Sequence, residues 1–379
     1  MKKFNLDSIY AVRRANLATW MAKEGIGAIM FQDTEGMRTP NVRYFTGHPM
    51  DAMFVLSVDG SSVLSPWDEN LAKEKAHVDK IIPYSKFNRQ QIPALKGLLK
   101  LLKVPAGSKI EIPECISYPQ FLHFVDQLDT MHILCREEGV SSIVQSMRAV
   151  KDEYELECIR KAAKIGDTII DIIESQIQSK TIKTETDVAL LIEKELRKAG
   201  CEKTSFDTLA AGPARSWAIH CFPGYTAGEW PGNGLSILDF GVVWEGYASD
   251  TTVTVAKGQL SKEQEKLLSL VEEAYTESLK LYQPKNPVSL PAKKADEIFA
   301  KGNRIMPHSL GHSYGLECHE FPVIKTSEPD ETVLLPGVVV TCEPGLYDPK
   351  LGGCRLENDV LITETGHEIL THSRIIRID

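Results

Sequence analysis

Five residues in the C-terminal part of this 379-residue chain, Asp239, Asp250, His312, Glu343 and Glu357, have the donor chemistry of a site for two metal ions. Each sits in its own short phrase: Leu238-Asp239-Phe240-Gly241, Gly246-Tyr247-Ala248-Ser249-Asp250, His308-Ser309-Leu310-Gly311-His312, Cys342-Glu343-Pro344-Gly345 and Arg355-Leu356-Glu357-Asn358-Asp359. Four carboxylates and one imidazole are mostly hard oxygen ligands, suited to divalent cations. Crowded into one cleft without cations, the carboxylates repel one another and some stay protonated. Two divalent ions balance all four, with His312 neutral. Ions paired in this way lie ~3.5–4 Å apart and share a water that loses a proton near neutral pH. The expected chemistry is hydrolysis by water activated between two cations.

The neighbouring residues add polar chemistry. His308, His312, His319 and Glu320 are interleaved with Gly311 and Gly315, whose missing side chains let backbone approach a ligand. His220 lies between Ala211-Gly212-Pro213 and Cys221-Phe222-Pro223. Asp239 and Asp250 are eleven positions apart around Trp244-Glu245-Gly246-Tyr247, a hairpin turn that can bring both to one site. Cys221, Cys318, Cys342 and Cys354 flank motif residues and are expected to face the core behind the site, since neighbours on a strand point to opposite faces.

These residues need a frame to hold them. The chain is long enough for two ordinary domains, and 42% hydrophobic and 25% charged residues suit a globular protein. A net charge of −9 argues against nucleic acid or an anionic membrane as main partner. No run approaches the ~18 apolar residues of a membrane helix, and no apolar stretch follows Lys2-Lys3, so a cytoplasmic address is expected. Eight cysteines without a Cys-x-x-Cys pair read as reduced thiols rather than disulfides or a structural zinc site.

The N-terminal part alternates helix and strand patterns to about Cys135, an α/β domain. Apolar Val12, Leu17 and Met21 predict a helix over residues 9–24. Ala28–Phe31, Met53–Leu56 and Ser62–Leu64 predict strands, the last two joined at Asp59-Gly60, while Asn41–Gly47 mixes turn and strand formers. Val140–Ile143 reads as a short strand at the joint. Helices are expected from Asp152 to about Gln178, from Thr184 to before Gly200, and after Ser261, each opened by a capping residue. Strand patterns carry the ligands: Leu235–Gly241, Thr252–Ala256, Val338–Cys342 and Arg355–Thr363.

The phrases resemble those of the pita-bread metallopeptidases, in the branch containing prolidase (Xaa-Pro dipeptidase) and aminopeptidase P. Asn41 to Gly47 is similar to that family's Asn-Ile-Arg-Tyr-Leu-Thr-Gly, Arg148 to Asp152 to its domain junction, and His308 to Pro322 to its His-x-x-Gly-His-x-x-Gly-x-x-x-His-Glu-x-Pro. The resemblance implies a creatinase-like α/β N-terminal domain over 1–145. It also implies an α+β pita-bread catalytic domain over 146–379, with a pseudo-symmetric curved sheet. Asp239 and Asp250 would hold one metal, with Asp250 bridging to the second. His312 and Glu343 would complete the second metal's set of ligands, and Glu357 would bridge both metals. Glu343 would also shuttle a proton, His220 and His319 would stabilise the tetrahedral intermediate and leaving nitrogen, and Arg355 would orient substrate or carboxylates. Mn²⁺ or Co²⁺ is expected ahead of Zn²⁺.

The implied substrate is a small peptide with proline second, cleaved most simply as a dipeptide. Aminopeptidase P activity on longer peptides, or creatinase-like hydrolysis of non-peptide C–N bonds, are the alternatives. The family also implies a homodimer, with the N-terminal domain near the partner's cleft. Three positions depart from the pattern: Val253 replaces a usual arginine, Asn358 a usual acid, and Val323 stands where dipeptidases sometimes carry a basic residue. The short link from Glu343 to Glu357 favours the dipeptidase side.

Overall fold

A computed structural model describes residues 3–379; Met1 and Lys2, part of the N-terminal segment read above for targeting, lie outside the described residues. The chain divides into two compact units, one closing at Met147 and the other spanning Arg148–Asp379.

The first unit contains α1 (Leu6–Glu24), β1 (Ala28–Asp33), α2 (Asn41–Thr46), β2 (Ala52–Ser57), β3 (Ser62–Pro66), α3 (Glu69–Lys75), β4 (Lys80–Ile81), α4 (Gln91–Leu101), β5 (Lys109–Glu111), α5 (Tyr118–Gln127), β6 (His132–Leu134) and all but the last two residues of α6 (Val140–Ala149). Its six strands form one mixed sheet in the order β4-β3-β2-β1-β5-β6. Every residue of β1, β2 and β3 is buried, the mark of strands covered on both faces. On one face Met30, Met53, Val55 and Val63 pack against Leu95, Leu98 and Leu99 of α4. On the other, Phe31, Phe45 and Phe54 stack at 5.5–6.5 Å between ring centres.

Three local readings are corrected. Asn41–Thr46 is a helix closed by Gly47 at φ 78°, not turn and strand, because Phe45 joins that aromatic stack. Its last carbonyls receive the buried Arg13 and Arg14 guanidinium groups, cations suited to a helix C-terminus. Val140–Ile143 opens helix α6 instead of forming a strand; Glu111 Oε1 accepts the Val140 N–H at 3.1 Å and so caps the first turn. Val12 faces solvent, while Leu17 and Met21 are buried.

The second unit begins with α7 (Glu153–Gln178) and α8 (Glu185–Lys198), then β7 (Lys203–Thr204), β8 (Leu209–Ala211), β9 (Gly234–Phe240), β10 (Val242–Trp244), β11 (Tyr247–Ala248) and β12 (Thr251–Lys257). Helices α9 (Lys262–Leu279) and α10 (Ser289–Lys301) follow, then β13 (Gly311–Ser313), β14 (Glu320–Ile324), β15 (Val339–Cys342), β16 (Gly345–Asp348), β17 (Gly352–Arg355), β18 (Asn358–Ile362), β19 (His367–Ile369) and β20 (Ile375–Ile378). Asp152, Thr184 and Ser261 each cap their helix in a reciprocal capping box, as their spacing predicts.

The unit has two similar halves. Sheet β20-β12-β9-β8 is backed by α7 and α8, with Ile169, Ile173, Val188 and Ile192 packed on Leu238, Phe240, Val253 and Val255. Sheet β14-β13-β15-β18-β19 is backed by α9 and α10, with Leu268, Val271, Ala295 and Phe299 packed on Val340, Cys342, Val360 and Ile362. A bridge between Thr252 and Glu357 joins them. This is the pseudo-symmetric α+β architecture the resemblance implies. The single strand expected over Arg355–Thr363 is broken at Leu356-Glu357, and the break releases Glu357 from the ladder at that bridge.

Candidate active site

The β10–β11 hairpin decides where the two aspartates meet. Glu245 and Gly246 both have positive φ, 48° and 86°, as a two-residue turn between twisted strands requires. A Cβ on Gly241 would lie 1.8 Å from the Ser249 carbonyl oxygen, so only glycine lets the chain close there. Beyond the hairpin, β9 and β12 pair with Asp239 opposite Thr252. In that register same-face residues carry numbers of opposite parity, so Asp239, Asp250, Thr252 and Thr254 share one face. Val253 points the other way, into the core under α7 and α8.

The second half supplies the rest. His312 lies on β13 opposite Val323, beside a register shift at Ser313. A Cβ on Gly311 would sit 2.1 Å from the Thr341 carbonyl, so glycine permits the close approach of β13 to β15. Glu343 follows β15 directly, its N–H bonded to Leu310 O at 2.9 Å. Glu357 Oε2 accepts from Thr252 Oγ1 at 2.6 Å.

These side chains line one cavity of about 420 Å³, together with His220, His319 and Arg355. The donor atoms of Asp250, His312 and Glu357 lie within 4.8 Å of one another, and all three residues are buried. His312 Nε2 is 3.7 Å from Asp250 Oδ2 and 3.5 Å from Glu343 Oε1. Its Nδ1 lies 3.2 Å from Ser313 O, which assigns the proton to Nδ1 and leaves Nε2 a lone pair toward the carboxylates. The His319 ring centre is 4.0 Å from that of His312. Asp239 Oδ2 accepts from Arg355 Nη2 at 2.5 Å, while its Oδ1 is buried with no partner among the described residues.

The electrostatics fit divalent cations. Burial, then the neighbouring carboxylates, push Asp250 and Glu357 well above the usual carboxylate range, and burial raises Glu343. Burial holds the His312 imidazole below its ordinary value, in the neutral form a metal ligand needs. Burial, then the nearby His312 and His220, lower His319 to about 4. Among the described residues, Arg355 is the one permanently cationic side chain lining a cavity that holds four of these carboxylates. The excess negative charge, the unpartnered Asp239 oxygen and the largely oxygen donor set all suit hard divalent ions.

Thr252, Thr254 and Tyr347 support the site without having been singled out by the phrases, whereas Arg148, Lys151, His308 and Glu320 lie within them. Thr252 Oγ1 both donates to Glu357 and accepts from Arg355 Nε at 2.9 Å, and Thr254 Oγ1 donates to Arg355 O at 2.8 Å. Their alternation after Asp250 is the only sequence cue. Tyr347 OH accepts from Arg355 Nη1 at 2.7 Å and meets His308 Nε2 at 3.1 Å. Behind the His312–His319 loop, Glu320 accepts from Arg148 Nη2 at 2.5 Å and from the buried Lys151 Nζ at 3.3 Å, and Lys151 also donates to Ser313 Oγ at 3.0 Å.

The cysteine expectation needs one correction. Cys342 and Cys354 are fully buried in the core and Cys221 is buried, but Cys318 lines the cavity, with Sγ 3.3 Å from Asp250 Oδ2. Cys318 lies in the irregular segment between β13 and β14, where strand alternation does not apply. Of the three departures from the pattern, Val323 alone lines the cavity; Asn358 turns away to donate to Tyr275 OH at 3.0 Å.

The family model of metallopeptidase family M24 matches residues 157–364, and that of the creatinase/prolidase N-terminal domain matches residues 13–109. The chain is 31% identical over 363 residues to an Xaa-Pro dipeptidase of Pyrococcus horikoshii, covering 93% of this chain and 94% of that one. It is 32% identical over 340 residues to an Xaa-Pro dipeptidase of Pyrococcus furiosus, covering 87% and 90%. Among solved structures it resembles an X-Pro aminopeptidase from Thermotoga maritima, with a TM-score of 0.84, 28% identity and coverage of 97% and 99%. It also resembles the prolidase from Pyrococcus furiosus, with a TM-score of 0.78, 27% identity and coverage of 94% and 99%.

Proposed function

The chain belongs to metallopeptidase family M24, and from that membership we propose that it hydrolyses the Xaa-Pro bond of dipeptides, with Asp239, Asp250, His312, Glu343 and Glu357 as the ligands of two divalent cations. The observation that carries the reading is the meeting of these five side chains with His220, His319 and Arg355 around one cavity. Cations held there would polarise the scissile carbonyl and lower the pKa of water.

The protein's own groups do the rest. Glu343 takes the proton of the attacking water and hands it to the leaving imide nitrogen. His319, uncharged at neutral pH, hydrogen-bonds the tetrahedral carbon's oxygen, with His220 on the same wall. Arg355 holds Asp239 in one orientation. An Xaa-Pro bond has no N–H to offer. A site that works on the carbonyl and protonates the nitrogen does not need one.

The oxygen-rich donor set supports Mn²⁺ or Co²⁺ ahead of Zn²⁺. We also propose a homodimer, as the family resemblance implies. A cytoplasmic location is proposed as well. No helix among the described residues is long and apolar enough to cross a membrane.

The test is hydrolysis of Met-Pro, Ala-Pro, Ala-Pro-Ala and Ala-Ala by chelated protein resupplied with Mn²⁺ or Co²⁺. Metal-dependent cleavage confined to the Xaa-Pro dipeptides is expected. Release of alanine from Ala-Pro-Ala would replace the dipeptidase reading with aminopeptidase activity, and silence on every peptide would remove both.

A further inference from the structure

The N-terminal unit has a cavity of its own, about 340 Å³, at the end of the β1–β2–β3 face that packs on α4. Its volume lies in the range of small-molecule sites. The floor is Met53 and Ser65, cross-strand neighbours in the β2–β3 register. Ser65 is 1% exposed, and its Oγ has no hydrogen-bond partner among the described residues. A buried hydroxyl left unpaired is costly, and one facing a cavity is relieved by a polar ligand.

The walls are aromatic. The Trp67 and Tyr84 ring centres are 6.3 Å apart with the planes tilted by 50°. Trp67 is 56% exposed, a large apolar surface to leave facing water. The Arg89 guanidinium lies 4.5 Å from its ring centre and holds the indole in place. The rim is acidic. Asp33 and Asp51 both line the cavity and share one cation, Arg38, at 3.3 and 2.5 Å. Glu35 lines it as well, and three carboxylates against the Arg38 and Arg89 guanidinium groups leave an excess negative charge at the mouth.

We propose that this cavity binds a small organic cation, an ammonium group carried on a single aromatic or branched apolar body. The body lies on Met53 against the adjoining Trp67 and Tyr84 rings. The ammonium meets the Asp33 and Asp51 carboxylates, and cation–π attraction to the rings adds to the selection of charge. Ser65 Oγ gains a polar partner at the floor. No residue of this site belongs to the catalytic cavity.

The test is calorimetric titration of the full-length protein with phenethylammonium and with 3-phenylpropionate, an anion of similar shape. The cation is expected to bind about tenfold or more tighter than the anion. Asp51→Asn and Trp67→Ala should each weaken it about tenfold, a difference of one decade in Kd, while His312→Ala should leave it unchanged. Absence of phenethylammonium binding, equal binding of the anion, or loss of binding in His312→Ala with retention in Asp51→Asn would each overturn the proposal.

Discussion

Arg355 Nη2 and Asp239 Oδ2 form a buried ion pair at 2.5 Å, and the other Asp239 oxygen is buried with no hydrogen-bond partner among the described residues. The same guanidinium reaches Thr252 Oγ1 through Nε and Tyr347 OH through Nη1. One planar group therefore fixes three partners that belong to different strands, which a flexible ammonium cannot reproduce. Arg355→Lys should lower metal affinity or kcat/KM by about 10–100-fold, the usual effect of losing a group that orients a ligand. Metal titration alongside dipeptide kinetics checks this, and an unchanged variant would make the pair structural only.

The ligand assignment predicts complete loss of turnover in His312→Ala and in Glu343→Gln with the fold retained. Metal should also stabilise the wild-type chain. At a free metal concentration about 100 times Kd the gain is ~2.7 kcal/mol, reversed by chelation. Thermal unfolding with and without Mn²⁺ measures it. Equal stabilisation of wild type and His312→Ala would remove His312 from the ligand set.

Lys151 is buried against Glu320 and Ser313, beside the loop that carries His312 and His319. Lys151→Met leaves Glu320 with Arg148 as its remaining basic partner among the described residues. The expected cost is about 3 kcal/mol, the lower end for breaking a buried pair, because Arg148 keeps its contact. Denaturant unfolding reports the stability, and a variant as stable as wild type would show the ammonium to be dispensable.

Val323 lines the cavity as the cross-strand partner of His312, an apolar side chain at a position from which a basic one would reach a substrate carboxylate. Val323→Lys should lower KM for Ala-Pro about tenfold, the order of one favourable charge contact, and should not do so for Ala-Pro amide. Equal change for both substrates would show that the new charge does not read the carboxylate.

His48 is 1% exposed, with both ring nitrogens unpartnered among the described residues, and burial lowers its pKa from the ordinary histidine value. The unfolded chain takes up a proton near pH 6.5 and the folded chain resists it. Its contribution to stability is therefore full above about pH 6.5 and is lost as pH falls toward the folded-state pKa. His48→Leu should flatten the fall in unfolding free energy between pH 7.5 and 5. Parallel slopes for variant and wild type would place the pH dependence elsewhere.

Much of this molecule is legible in the order of its residues. The capping boxes at Asp152, Thr184 and Ser261 are local, set by groups three positions apart, so helix starts can be read directly. The donor types at Asp239, Asp250, His312, Glu343 and Glu357 name the chemistry, because hard cations select carboxylates wherever they occur. Residues Asn41–Thr46 and Val140–Ile143 misread because their partners, Phe31 and Glu111, are distant in the chain. Cys318 misread because alternation holds only on a regular strand. The joining of two half-domains was tertiary. The β9–β12 register turns both aspartates to one face, and the break at Glu357 lets a carboxylate from the second sheet bond Thr252 on the first. Residue type fixes what a side chain can bind, whereas the pairing of strands more than a hundred residues apart depends on burying both hydrophobic faces at once, which no local phrase encodes.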